Sequence, residues 1–327
     1  MSKSLNKNSV CVFCENKKTI SQKIRRTRSR SSPFSYRPGS NRFVSLRQLH
    51  QDTLRLAGMI PPDVVAIVGV ARSGIVPASM LSLLLHKPLF AIRQSLGDMV
   101  SVGNGWRLGA SHVDVPQGRV AVVDDTVMTG NSLTQIAPVV RERFGKVVTA
   151  AVYVNPSAHV RPDIHAVELP WPHFLEWNVF NSVLSPNMAM DFDGILCRDC
   201  KHGEDDDGPN YQRFINTAEP LYTPRRVPIP LIVTARIERY RAVTIAWMAK
   251  HGIRCHKLVM HPAATLAERQ GDDIAAFKAR HFAEWAGRHH ARPAPNAFIE
   301  SEPKQAERIA KLSGRVTICP AAEKVFG

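Results

Sequence analysis

Long apolar runs are missing from this 327-residue chain, and so is any dense cysteine framework. No apolar stretch approaches the roughly 18 residues a helix needs to cross a bilayer, which excludes an integral membrane protein built on helices. Six cysteines in so long a chain are too few for a disulfide scaffold, and they predict a reducing, cytoplasmic setting. The N-terminus is basic but has neither an apolar core nor a small-residue cleavage site, so no secretory signal is expected. Acidic residues are also scarce, 28 against 43 lysines and arginines, for a net charge of +15. The imbalance is local. Up to Arg42 there are eleven basic residues and one acid, Glu15, a charge of +10 that leaves +5 for the remaining 285 residues.

Residues 1–42 read as a disordered basic tail, poor in apolar side chains and ending in the linker-like stretch SRSSPFSYRPGS. Such a tail is either simply solvated or makes weak, non-specific contact with nucleic acid or an acidic partner. Cys11 and Cys14 supply two of the four ligands a zinc site needs, and Cys197 with Cys200 is the only other pair of that spacing. The thirteen histidines include His251, His256, His289 and His290, none at metal-ligand spacing with nearby acids, and they read as surface or core residues.

Beyond the tail the pattern is α/β. The β-branched runs VVAIVGV, RVAVVDD and KVVTAAVYV predict buried strands, and LRQLHQDTLRLA, VPASMLSLLLH and NSLTQIAPVVRERF predict the helices between them. Residues 93–118 are rich in Gly and polar residues and read as one long loop, of the kind that is often functional. A second alternation starts near Asn187 and ends with RVTICP as its last strand. The expectation is two doubly wound units, over residues 43–180 and 185–327, each with a mostly parallel sheet. Trp171, Phe174 and Trp177 fall between them and are expected to pack the joint, with base stacking as the alternative.

Two motifs carry chemistry. In the first, the strand Val120–Val123 delivers Asp124 and Asp125 to its C-terminal edge, where ligands bind in open α/β sheets. Thr126, Thr129, Gly130 and Ser132 follow at a helix start, where free N–H groups and hydroxyls suit a phosphate monoester. Apolar strand, two acids and a Thr-x-x-Thr-Gly turn together resemble the phosphoribosyl diphosphate (PRPP) signature of the type I phosphoribosyltransferases. The resemblance implies that Asp124 and Asp125 hold the ribose hydroxyls, that Thr126, Val127, Met128, Thr129 and Gly130 hold the 5′-phosphate, and that Mg²⁺ arrives with the diphosphate. Gly69–Gly74, one α/β unit earlier, looks like the family's diphosphate loop, with Arg72, Ser73 and Gly74 as its binding residues. The 93–118 loop then stands where the family keeps a flexible cover over the reaction centre. Two departures leave the acceptor unnamed. Met128 stands where 6-oxopurine transferases carry an Asp, and the Lys-rich hood of orotate transferases is absent, Arg93 and Arg107 being the only Lys or Arg side chains in that loop.

In the second motif, Asp191 and Asp193 lie two apart after the apolar stretch MAM, on one face of a strand end, and Gly194 makes the turn. Both acids are thereby placed to converge on one Mg²⁺ and one phosphoryl group. Thr234, Lys278, Glu300 and Glu302 come later in an order that resembles the haloacid-dehalogenase (HAD) superfamily. That resemblance implies Asp191 as nucleophile, Asp193 as acid and base, Thr234 and Lys278 on the phosphoryl oxygens, and Asp191, Asp193, Glu300 and Glu302 around magnesium. A fold of this type kept only for structure or binding is the alternative. Cys197–Tyr211 reads as an acidic, irregular insertion, and Arg236, Arg239 and Arg241 as either a grip on an anion or a solvated helix face.

These motifs imply two possible functions. One is a bifunctional enzyme that ribosylates a nucleobase-like acceptor from PRPP and then removes the 5′-phosphate. The other is a PRPP-binding regulatory protein whose basic tail meets nucleic acid and whose second unit is independent or inert. Deleting residues 1–40 spares the first and disables the second. A homodimer is expected from family resemblance, and no membrane partner is expected.

Overall fold

The computed structural model describes residues 42–93, 98–103, 117–289 and 295–327. The chain divides between Ser32 and Pro33, and every described residue belongs to the second unit, Pro33–Gly327. The tail up to Asn41, its Cys11 and Cys14, and Arg107 lie outside the described residues.

Strand alternation builds the first sheet. After β1 (Arg42–Val44) and α1 (Leu46–Met59) come β2 (Val64–Ala71), α2 (Ile75–Leu85), β3 (Leu89–Arg93), β4 (Met99–Gly103), β5 (Gly118–Val127), α3 (Asn131–Phe144), β6 (Gly145–Val154) and β7 (Ile164–Glu168). The sheet order is β4-β3-β2-β5-β6-β7, parallel except for β4, which runs antiparallel to β3. The 93–118 stretch is therefore not a loop throughout. Met99–Gly103 is an edge strand, missed because its exposed side chains give no burial pattern. Along β5, Val120 and Val122 pack with Leu133, Ile136 and Val140 of α3, while Ala121 and Val123 pack with Leu56 of α1 and Ala78 of α2. That two-residue period is why an unbroken apolar run is buried on both faces.

The chain then makes β8 (His173–Leu175), parallel to β1, and a short helical turn α4 (Glu176–Val179) before entering the second sheet at β9 (Met188–Met190). Next in order are α5 (Pro209–Thr217), β10 (Leu231–Ile237), α6 (Arg241–Lys250), β11 (Leu258–His261), α7 (Leu266–Gln270), α8 (Ile274–Arg288), β12 (Ala297–Ile299), α9 (Pro303–Ser313), β13 (Val316–Cys319) and β14 (Lys324–Phe326). The order is β11-β10-β9-β12-β13-β14, with only the β14 edge antiparallel. The strand RVTICP is thus not the last, and the acidic stretch after Cys197 ends in α5.

The joint is not a neutral linker. Trp171, Phe174, Val179, Phe180 and Leu184 are buried in one cluster with Met188, Met190, Ile232 and Ile299 of the second sheet. In both sheets the strand order reverses beside the central strand, at β2/β5 and at β9/β12. A crevice opens there at the carboxyl ends of the strands, and both motifs map to those ends.

Candidate active sites

Neighbouring strands β2 and β5 bring the loop Arg72–Gly74 and the acid pair together. Ser73 Oγ donates to Asp125 Oδ1 at 2.9 Å, and Asp124 Oδ1 accepts from the Asp125 backbone N–H at 2.9 Å. A Cβ on Gly74 would lie 2.6 Å from the Val70 carbonyl oxygen and 2.8 Å from Asp124 Oδ1, so only glycine lets α2 begin against the acid. Gly130 has φ +90°, and a Cβ there would strike the Val160 carbonyl, so it too is fixed as glycine. Both helices start on glycine caps; Ile75 N and Val76 N donate to the Arg72 and Ser73 carbonyls, and Asn131 N donates to Thr129 Oγ1 at 3.4 Å. The Thr126 Oγ1 atom is buried and has no hydrogen-bond partner among the described residues.

These loops line a cleft of about 1010 Å³ that takes in Arg72, Ser73, all of Asp124–Gly130 and Ser132. Gly74 adjoins it through Asp124. Burial, and then the like charge of Asp125, hold the Asp124 carboxyl well above the usual carboxylate range. A cation or a ribose hydroxyl beside it relieves that repulsion, so this pair of hard oxygen donors fits magnesium.

Sequence reasoning did not foresee the opposite wall. Trp177 Nε1 donates to Asp125 Oδ2 at 2.8 Å, and its ring stacks on Tyr153 with centroids 6.4 Å apart. Tyr153 in turn donates its hydroxyl to Asp52 at 2.9 Å. Trp177 therefore serves the site, whereas Trp171 and Phe174 pack into the second core as the joint residues they were expected to be. His173 on β8 also lines the cleft, and burial lowers its pKa below the ordinary histidine value.

The second site has a buried lysine at its centre. Lys278 Nζ, on α8, donates to Asp191 Oδ2 at 2.6 Å, to Glu300 Oε2 at 2.7 Å and to Gln305 Oε1 at 3.1 Å. Burial pushes the Asp191 carboxyl up to about 7 against the pull of Lys278. Burial also works against the Lys278 ammonium, but Asp191 and Glu300 outweigh it and raise its pKa. Thr234 is fully buried on β10, two residues from Arg236.

Arg236 departs from expectation. It is not on a solvated face but wholly buried, 4.0 Å over the Phe192 ring. Its Nε and Nη2 fork onto Asp193 at 3.0 and 2.6 Å, and Cys197 Sγ donates to the same carboxylate at 3.2 Å. The anion gripped is the chain's own acid. Arg239 and Arg241 pair instead with Asp207 and Glu238.

Of the four expected magnesium ligands, Asp191 and Glu300 share the Lys278 ammonium. Asp193 faces Arg236, Glu300 faces Lys278, and Glu302 accepts from Lys304 N and Gln305 N as the cap of α9. Among the described residues no group of three or more His, Cys, Asp or Glu side chains is arranged to hold a metal. Nor is Cys197 set up as a zinc ligand, since burial raises its thiol pKa and its S–H is spent on Asp193. Arg236 was findable, because side chains two apart on a strand share a face with Thr234.

With this geometry in place, residues 45–187 match the family model for the phosphoribosyl transferase domain. The match spans the first sheet and the segment that follows it. Orotate phosphoribosyltransferase from Aeropyrum pernix is 40% identical over 90 residues, 28% of this chain and 45% of that protein. Adenine phosphoribosyltransferase from Ureaplasma parvum is 32% identical over 98 residues, 27% of this chain and 56% of that protein. The chain thus spans about half the length of the curated relatives it matches. A purine phosphoribosyltransferase structure from Pyrococcus horikoshii aligns over 42% of this chain and 94% of its own, at 24% identity and a TM-score of 0.35. Among the described residues no helix is long and apolar enough to cross a membrane.

Proposed function

We propose that the first sheet transfers the phosphoribosyl group of PRPP to a nucleobase-like acceptor. One observation carries this reading: the Ser73–Asp125 bond joins the diphosphate loop and the acid pair at one cleft. Arg72 and Ser73 take the diphosphate, Asp124 and Asp125 take the ribose hydroxyls, and Thr126–Gly130 with Ser132 take the 5′-phosphate. The bond from the anomeric carbon to diphosphate breaks, a bond to an acceptor nitrogen forms, and the acceptor's proton leaves. Magnesium held beside Asp124 and Asp125 would supply positive charge to offset the departing diphosphate. The residues named here act by positioning and charge stabilisation. That relatives of residues 45–187 act on orotate and adenine supports a nucleobase-like acceptor.

The second sheet, on this proposal, removes the 5′-phosphate from the ribotide so made. The Lys278–Asp191 pair supports it, since an ammonium at 2.6 Å steadies both a carboxylate nucleophile and the phosphoryl group it receives. Asp193 must release Arg236 before it can protonate a leaving group.

The test tracks PRPP by ³¹P NMR with Mg²⁺ and a small-molecule cell extract, in the wild type, Asp125→Asn and Asp191→Asn. Diphosphate release that requires Asp125, and orthophosphate release that requires Asp191, are expected. The Asp191→Asn protein should accumulate a ribotide whose mass names the acceptor. PRPP binding without diphosphate release in any extract overturns the transferase reading and leaves a PRPP sensor. Orthophosphate release that survives Asp191→Asn removes only the second step.

A further inference from the structure

The cleft over the first sheet is completed by a residue from the far half of the chain. Arg226, in the stretch between α5 and β10, lines it and donates from Nη1 to the Asn181 carbonyl at 3.0 Å. One nitrogen is thereby anchored on the wall while the side chain remains exposed. Among the described lining residues Arg72 is the only other arginine, there is no lysine, and Arg72 belongs to the diphosphate loop. His173 does not add a cation, since burial lowers its pKa.

The end of the cleft near Asp124 and Asp125 is already furnished for phosphates, with two helix starts and several hydroxyls, and its acids repel any further anion. The wall next to Arg226 is different. Val183 offers exposed apolar surface, and the half-buried Trp177 offers part of its indole. Apolar and aromatic walls with one fixed cation suit a flat ring bearing a single anionic substituent. A guanidinium held at one nitrogen still has a forked pair of N–H groups for a carboxylate.

We propose that Arg226 selects an acceptor that carries a carboxylate on a planar heterocycle, so that the second half of the chain sets the substrate specificity of the first. This rests on the cleft being a PRPP site. The test uses the full chain, titrated calorimetrically with PRPP and then with two matched pairs of rings, orotate against uracil and nicotinate against nicotinamide. In the wild type, at least one acid should bind about tenfold to hundredfold more tightly than its neutral partner, the range of a charge-assisted hydrogen bond. Arg226→Gln should abolish that preference and Arg226→Lys keep part of it, while PRPP binds all three proteins equally. No preference in the wild type, or a preference that survives Arg226→Gln, overturns the proposal while the PRPP reading stands. Failure of the wild type to bind PRPP overturns both.

Discussion

Trp177 reaches the first site through a single N–H, so its contribution can be measured without disturbing the packing. Trp177→Phe keeps an aromatic ring against Tyr153 and removes the 2.8 Å bond to Asp125. A hydrogen bond to a charged group is worth about 1.5–3 kcal/mol, so kcat/KM for PRPP turnover should fall by about tenfold to hundredfold. An unchanged value would mean that Asp125 is held by Ser73 alone. His173 provides a pH test. Its folded pKa lies below the ordinary histidine value of 6.5, so below that pH the unfolded chain binds a proton the folded one refuses. Stability should be lost as pH falls through this window, and His173→Gln should show a shallower fall in Tm between about pH 7 and 5. Parallel slopes in the two proteins would contradict the burial argument. In the second site, Lys278→Met leaves Asp191 and Glu300 facing each other without their shared cation. Breaking a buried pair in this way costs about 3–5 kcal/mol, to be read from urea unfolding.

At the scale of elements, catalytic placement depends on how closely α2 approaches β5. Gly74→Ala pushes a methyl group into the Val70 carbonyl and the Asp124 carboxylate. The expected cost is about 1–3 kcal/mol of stability, together with loss of PRPP binding by calorimetry while the circular dichroism spectrum keeps its α/β form. Normal PRPP affinity in Gly74→Ala would show that the loop yields without moving Asp124. The elements that hold these loops were legible in the sequence because they are long and doubly buried. β2, β5 and β6 read as unbroken apolar runs, and the turns after β2 and β5 carry their chemistry in consecutive residues. β1, β8 and β14 have three residues each, too short for any periodicity to register. The Asp191–Lys278 contact was legible from motif order, whereas Arg236 was legible only through its place two residues after Thr234, on the same face of β10, and its partner Asp193 was not. The contribution of Trp177 to the site and of Arg226 to the cleft left no sequence signal at all, since each depends on how the segment between the sheets lies.

At the scale of the molecule, that segment gives the two sheets a shared interior. Trp171, Phe174, Val179, Phe180 and Leu184 are buried against the second sheet. Glu176 accepts from Leu46 N at 2.7 Å and from the Tyr222 hydroxyl at 2.8 Å, linking α1 to the far half. A fragment ending at Asn187, where the family match stops, would expose all five apolar side chains. It is expected to aggregate or to lose cooperative melting, whereas residues 33–327 should melt in one transition by calorimetry. A soluble, cooperatively folding fragment would show the sheets to be independent.

The boundary drawn by sequence kinship and the boundary drawn by packing therefore fall in different places. Kinship ends after the segment, whereas packing buries Trp171, Phe174, Val179, Phe180 and Leu184 with the β9–β14 half and leaves Leu175 and Trp177 with the first sheet. Anyone grafting another acceptor specificity onto this chain, or recombining its halves with those of a relative, has to carry residues 171–187 together with the second sheet. Trp177 beside the first cleft and Asp191 at the end of β9 are 14 residues apart. The two candidate sites can then be exchanged only as a pair.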